Sequence, residues 1–105
     1  ALSEAIFNGQ PDLFLYSWWL DYPDLENALV PCFHSRNIPR QGNRAHFANP
    51  EVDRLLDEAQ AEGDPQARLA KFQKAEDAII EECPWVFLYH RKSFSMTQPW
   101  VSGYD

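Results

Sequence analysis

Apolar and polar positions divide the chain into short elements. Leu2, Ala5 and Ile6 share one helical face, and Asn8-Gly9 supplies a stop signal behind them. Residues 12–20, DLFLYSWWL, are apolar on both faces. Their length, their aromatic rings and the flanking Gly9, Pro11 and Pro23 predict a central β-strand covered on both sides, although periodicity alone leaves a buried helix open. From Asp21 to Ala48 the pattern breaks. Pro23, Pro31, Pro39 and Gly42 punctuate it, which predicts a long connection with one helical turn near Leu25 to Val30. Asn49-Pro50 then opens a helix with Val52, Leu55, Leu56 and Ala59 on one stripe, stopped by Gly63. Asp64-Pro65 opens another. Its stripe is Leu69, Phe72, Ala75 and Ile79, with Ile80 and Cys83 at the edge and Pro84 as the stop. Trp85 to His90, WVFLYH, predicts a second buried strand, and Arg91 to Thr97 continues it in more polar form, with Phe94 and Met96 on one face. The expected order is helix, strand, long loop, helix, helix, strand, an α/β arrangement in which residues 49–83 form a two-helix hairpin.

Composition narrows the picture. The chain has 105 residues, the size of one small domain. Its 45% hydrophobic and 24% charged residues suit a folded chain and exclude a disordered tail. Sixteen acids against nine bases give −7, a charge that opposes a phosphate backbone and sets nucleic acid aside as a partner. The longest apolar run, Leu13 to Leu20, is interrupted by Ser17 and falls far short of the about twenty residues of a membrane span. The opening residues carry Glu4 where a secretion leader is basic; because the chain starts without Met, this leaves its compartment open. Cys32 and Cys83 are compatible with one disulfide or with two buried thiols, which only geometry separates.

Candidate chemistry concentrates in Trp18-Trp19-Leu20-Asp21-Tyr22-Pro23-Asp24. A strand that delivers two indoles and then a carboxylate at its exit presents a poorly solvated acid beside flat rings. Such an acid favours a cationic partner, for instance an ammonium group. The plainer reading makes Trp18 and Trp19 packing residues and Asp21 a turn cap before Pro23. His34, His46 and His90 lack the paired spacing of a metal site and read as solvated or internally satisfied. A Cys–His nucleophile pair is not required by any spacing, and no nucleotide, phosphate, metal or serine-hydrolase string occurs, so no cofactor is expected. Glu51, Asp53, Asp57, Glu58 and Glu62 read as a solvated helix face, with Arg54 and Glu58 one turn apart.

Four stretches carry a resemblance. WWLDYPDLEN, then GNRAHFANPEVDRLLDEA, then KAEDAIIEECPWVFLYH, and finally PWVSGYD resemble, in that order and over nearly the entire chain, the C-terminal part of family 5 extracellular solute-binding proteins. These are the dipeptide-, oligopeptide- and nickel-type receptors of ABC importers. The chain departs from the family pattern at Leu25, where proline is usual after the second Asp, at Phe47-Ala48, where a tyrosine usually precedes Asn-Pro, and at Ser17, often Gly. The resemblance implies a two-lobed periplasmic-binding fold that closes on its ligand by a hinge. This chain would be a single C-terminal segment of it. It further implies a non-enzymatic role, with Asp21 pairing a ligand's ammonium group, Trp18 as aromatic wall, and Trp19 and Tyr22 completing the candidate set. The implied partners are a peptide or similar small molecule, a membrane permease, the N-terminal part of the same protein and, over uncovered apolar faces, a second copy. The implied location is periplasmic or extracellular, with lipid anchoring left open. Two other readings stand beside capture: a hydrolase using Asp21 or Asp24, and an interaction domain using the acidic hairpin.

Overall fold

A computed structural model describes residues 2–90 and 92–103. Among the described residues there are four α-helices, α1 (Leu2–Phe7), α2 (Leu25–Phe33), α3 (Pro50–Ala61) and α4 (Pro65–Glu82), with a 3-10 turn at Ser35–Asn37. Among the described residues there is no β-strand.

The hairpin forms where the caps and stripes place it. Asn49 accepts the N–H groups of Glu51 and Val52 at 2.8 and 3.2 Å, and Asp64 accepts that of Ala67 at 2.8 Å, so each helix begins with its orphan donors satisfied. Both have proline in the first turn, which costs no internal hydrogen bond there. α4 ends as Cys83 turns left-handed, at φ 50°, immediately before Pro84. Val52, Leu55, Leu56 and Ala59 of α3 are buried, as are Phe72, Ala75 and Ile79 of α4. Leu69 and Ile80 sit at the margin, each about half exposed.

α2 supplies the third side of the core with Leu29, Val30, Cys32 and Phe33. Part of what the sequence presents as a long loop, Leu25–Phe33 and Ser35–Asn37, is therefore helical. Pro31 masks α2: lying in the second turn of a short helix, it removes one donor without preventing the helix. Behind α2 the chain crosses closely at Gly42, where a Cβ would lie 2.6 Å from the Pro31 carbonyl oxygen and φ is +132°, so only glycine fits. Asn43 is fully buried, donating to the carbonyls of His34 and Phe47 and accepting the Phe47 N–H.

The two expected strands are the main correction. Residues 13–19 alternate in exposure, with Phe14, Tyr16 and Trp18 half-buried and Leu13, Leu15, Ser17 and Trp19 exposed. One face thus rests on the helical unit and the other is uncovered. Tyr16 meets Trp85 edge-on at 5.7 Å, and Trp85 meets Phe33 at 4.8 Å, but no backbone hydrogen bond joins the two segments among the described residues. A strand needs a neighbour for its N–H and C=O groups, and neither segment has one. Val86 to Tyr89, Phe94, Met96 and Trp100 are exposed as well; Arg91 and Tyr104 lie outside the described residues. The radius of gyration is 16.8 Å, against about 13 Å for a compact chain of this length. No described helix is long and apolar enough to cross a membrane. Cys32 is buried, Cys83 is exposed and both are free, so the disulfide alternative fails, as does the expectation that both thiols are buried.

Candidate functional site

The segment Trp18 to Asn27 is held by a small set of internal bonds. The buried Asn27 is the hub. Its backbone carbonyl accepts the Trp18 indole N–H at 2.7 Å, and its side-chain oxygen accepts the Asp21 backbone N–H at 2.8 Å. These two bonds fix the end of the extended segment against the first turn of α2. Asp24 performs the capping that the plainer reading gives to Asp21: its carboxylate accepts the Glu26 N–H at 2.8 Å. The same carboxylate clasps Arg68 of α4 through both oxygens, at 2.9 and 3.0 Å. Arg68 also reaches Glu26 at 3.0 Å and lies over the Phe72 ring. The Arg68 guanidinium first, and the Glu26 N–H second, hold the Asp24 carboxyl below the usual carboxylate range.

Asp21 is different. Its side chain is exposed, and among the described residues its carboxylate has no hydrogen bond and no ion pair. Trp18 is half-buried against the core, whereas Trp19 and Tyr22 are about half exposed or more. The structure brings Trp18 and Asp21 together through Asn27; it places Trp19 and Tyr22 on the surface beside them. This is an open face. The depression of about 230 Å³ next to it is lined by Asp24, Leu25, Arg68 and Phe72 among others, and Asp21 lies outside that lining.

Outside this segment His34, Ser35, Arg36, Asp53 and Asp57 are bonded to one another. His34 is buried between α2 and α3. Its Nδ1 lies 3.2 Å from both the Arg36 N–H and Asp53 Oδ1, and a ring nitrogen cannot accept from one and donate to the other. Acceptance from Arg36 needs only the neutral ring, which leaves Nε2 to donate to Asp57 at 3.2 Å. Asp53 is satisfied instead by the Ser35 N–H at 2.9 Å and by the Ser35 hydroxyl. Arg36 joins Asp57 to Gln60. The helix face expected to be merely solvated is therefore partly a polar joint: Asp53 and Asp57 tie α3 to the end of α2, and Glu51 and Glu58 both hold Arg54. Ser35 bonds Asp53 and not His34, so no nucleophile–base pair is assembled. Burial pushes the Cys32 thiol up to about 12, which removes the thiolate a Cys–His pair needs. Arg68 and this joint escaped the sequence reading because their partners are distant in sequence; Asn27, six and nine residues from its partners, escaped because no helix or strand period links those spacings.

Comparison with known proteins gives this geometry a context. A probable di/tripeptide-binding protein 5 of Pseudomonas aeruginosa (strain UCBPP-PA14) is 30% identical over 98 residues, covering 93% of this chain and 19% of that protein. The periplasmic murein peptide-binding protein MppA of Escherichia coli (strain K12) is 33% identical over 98 residues, 91% of this chain and 17% of that protein. The glutathione-binding protein GsiB of Salmonella choleraesuis (strain SC-B67) is 32% identical over 93 residues, 88% of this chain and 18% of that protein. Over most of its length the chain is similar, at about 30% identity, to several family 5 solute-binding proteins. It spans less than a fifth of the length of these curated relatives, consistent with a C-terminal fragment of such a protein. No family model matches the chain, and no solved structure matches it.

Within the resembling stretches most polar groups that form bonds do so internally. Gly42, Asn43, Asn49 and Pro50 of the second resembling stretch close a loop and start a helix. In the first stretch Trp18, Asp24 and Asn27 are bonded internally. The Asp21 carboxylate is left over.

Proposed function

We propose that this chain is part of the substrate-binding component of an ABC importer, and that it contributes the carboxylate that receives the ligand's ammonium group. The observation that carries the reading is the contrast within one motif: Trp18, Asp24 and Asn27 of the W-x-x-D-Y-P-D-x-x-N frame are bonded internally, while the Asp21 carboxylate has no partner among the described residues. A carboxylate fixed by its own backbone N–H beside an anchored indole is preorganised for a cation, because little further ordering is needed when the ligand arrives. Trp19 and Tyr22 supply ring surface to exclude water around the pair.

The mechanism is capture without chemistry. Ammonium meets Asp21, rings cover the contact, two lobes close over it, and the closed form docks on a membrane permease. The relatives named for di/tripeptides, murein peptide and glutathione support a small peptide-like ligand. MppA's periplasmic name supports the same compartment here. A hydrolase reading loses Asp24, whose oxygens are committed to Arg68 and to the α2 cap. The uncovered faces of residues 13–20 and 85–101 fit a role in which the remainder of a receptor pairs with them. The 105-residue chain by itself is accordingly expected to give no thermal shift with dipeptides.

The test is Asp21→Ala in the complete protein that carries this chain, with binding of trialanine followed by calorimetry. Lost binding with unchanged circular dichroism supports capture. Unchanged binding removes Asp21 from the site.

A further inference from the structure

Arg68 stands near the N-terminus of α4, where a cation opposes the helix dipole. Its benefit lies in another helix. The guanidinium takes both oxygens of Asp24, the cap of α2, at 2.9 and 3.0 Å, and Glu26 in the first turn of α2 at 3.0 Å. Its own place is fixed from the core, because it lies 4.8 Å from the centre of the buried Phe72 ring. One arginine therefore joins α4 and its packing to the N-terminal turn of α2, with the paired geometry that a guanidinium gives and an ammonium does not.

That turn also holds the ligand segment. Asn27 follows Glu26 directly, and its two oxygens accept the Trp18 indole N–H and the Asp21 backbone N–H. Residues 21–24 run between two anchors, Asn27 at the start and Arg68 at the end, and within them the Asp24 N–H bonds the Tyr22 carbonyl at 2.9 Å. Asp21, Tyr22 and Pro23 are otherwise exposed. A binding group has to be held within about 0.5 Å of its productive position, which an exposed span reaches only when both ends are tied. We propose that Arg68 is a positioning residue of the capture site: by clamping the N-terminal turn of α2 to α4 it fixes where Asp21 presents its carboxylate, and so sets how strongly the site prefers a free ammonium group. Arg68 does not touch the ligand in this scheme; it acts through Asp24, the α2 turn and Asn27. This rests on the capture reading above and extends it to a residue of another helix.

The experiment measures binding of trialanine and N-acetyl-trialanine by calorimetry to the complete protein that carries this chain, as wild type, Arg68→Met, Arg68→Lys, Asp24→Asn and the double variant Arg68→Met with Asp24→Asn. Methionine keeps an apolar stem over Phe72 and asparagine keeps a cap for α2, so each change removes mainly the clasp. The wild type is expected to bind the free amine at least about ten-fold more tightly than the acetylated peptide. In Arg68→Met and in Asp24→Asn that preference is expected to fall at least about three-fold, with no further fall in the double variant and partial recovery in Arg68→Lys. A merely structural role lowers the melting temperature, or weakens both peptides alike, and leaves the ratio unmoved. An unchanged ratio in Arg68→Met overturns the assignment, as do losses that add in the double variant; if Arg68→Met does not fold, the ratio in Asp24→Asn decides in the same way. A wild-type ratio of about one is a separate failure, as is a wild type that binds neither peptide: either sinks the capture reading and takes the positioning role with it.

Discussion

Two regions of this molecule obey different rules. From Leu25 to Glu82 three helices close a core around Phe72, Leu56 and Ile79, and the polar groups at their joints are paired with one another. From Leu13 to Tyr22 and again from Val86 to Val101 the chain is richer in large apolar side chains, yet leaves most of them in water. Hydrophobicity alone therefore does not decide what is buried. Helices satisfy their backbone locally and need only a face to bury, whereas an extended segment also needs neighbours for its amides. The first region closes its own core; the second leaves its apolar side chains exposed and, among the described residues, its two segments without a backbone bond between them.

Substitutions can break that division. Phe72→Ala, at a position 1% exposed, is expected to cost about 3–5 kcal/mol and to melt the helical unit in a urea titration followed by circular dichroism. A loss near zero would mean the helices do not form one core. Asp24→Ala removes a helix cap and the anchor of Arg68 together and is expected to cost about 1–2 kcal/mol in the same titration. Its pH dependence has a definite sign. Because the folded-state carboxyl titrates below the usual value of about 4, its contribution is fully present above that value and is lost as pH falls through the folded-state value. Asp24→Asn should flatten that acid limb. Phe94→Ser and Asp21→Asn, both at exposed positions, are expected to stay within about 0.5 kcal/mol of the parent. The cysteines sharpen the same boundary chemically. Cys83 is expected to react with a thiol reagent in the native chain, while Cys32 reacts only after urea is added. Equal reactivity would contradict the closed core beneath α2.

What the sequence reveals follows the range of the interactions. The stripes of α3 and α4 and their Asn49 and Asp64 caps lie within a few residues and are legible directly. α2 is half legible, because Pro31 reads as a breaker until the helix is seen to be short. The Asp24–Arg68 clasp spans 44 positions and the His34–Asp57 bond 23, and no local pattern announces either. The strands are misread for another reason. Residues 12–20 and 85–90 have the composition of buried strands, but composition does not provide the neighbour that makes a strand. At the candidate site Trp18 and Asp21 are legible as a pair; that Asn27 unites them required coordinates.

Amide hydrogen exchange resolved by residue tests the division most directly. Interior amides of α2, α3 and α4 are expected to be protected together, to the level set by global unfolding, while those of residues 13–19 and 86–90 exchange at nearly the rate of an unfolded chain. Protection of the two extended segments equal to that of α4 would show that they are already paired, and would contradict the account.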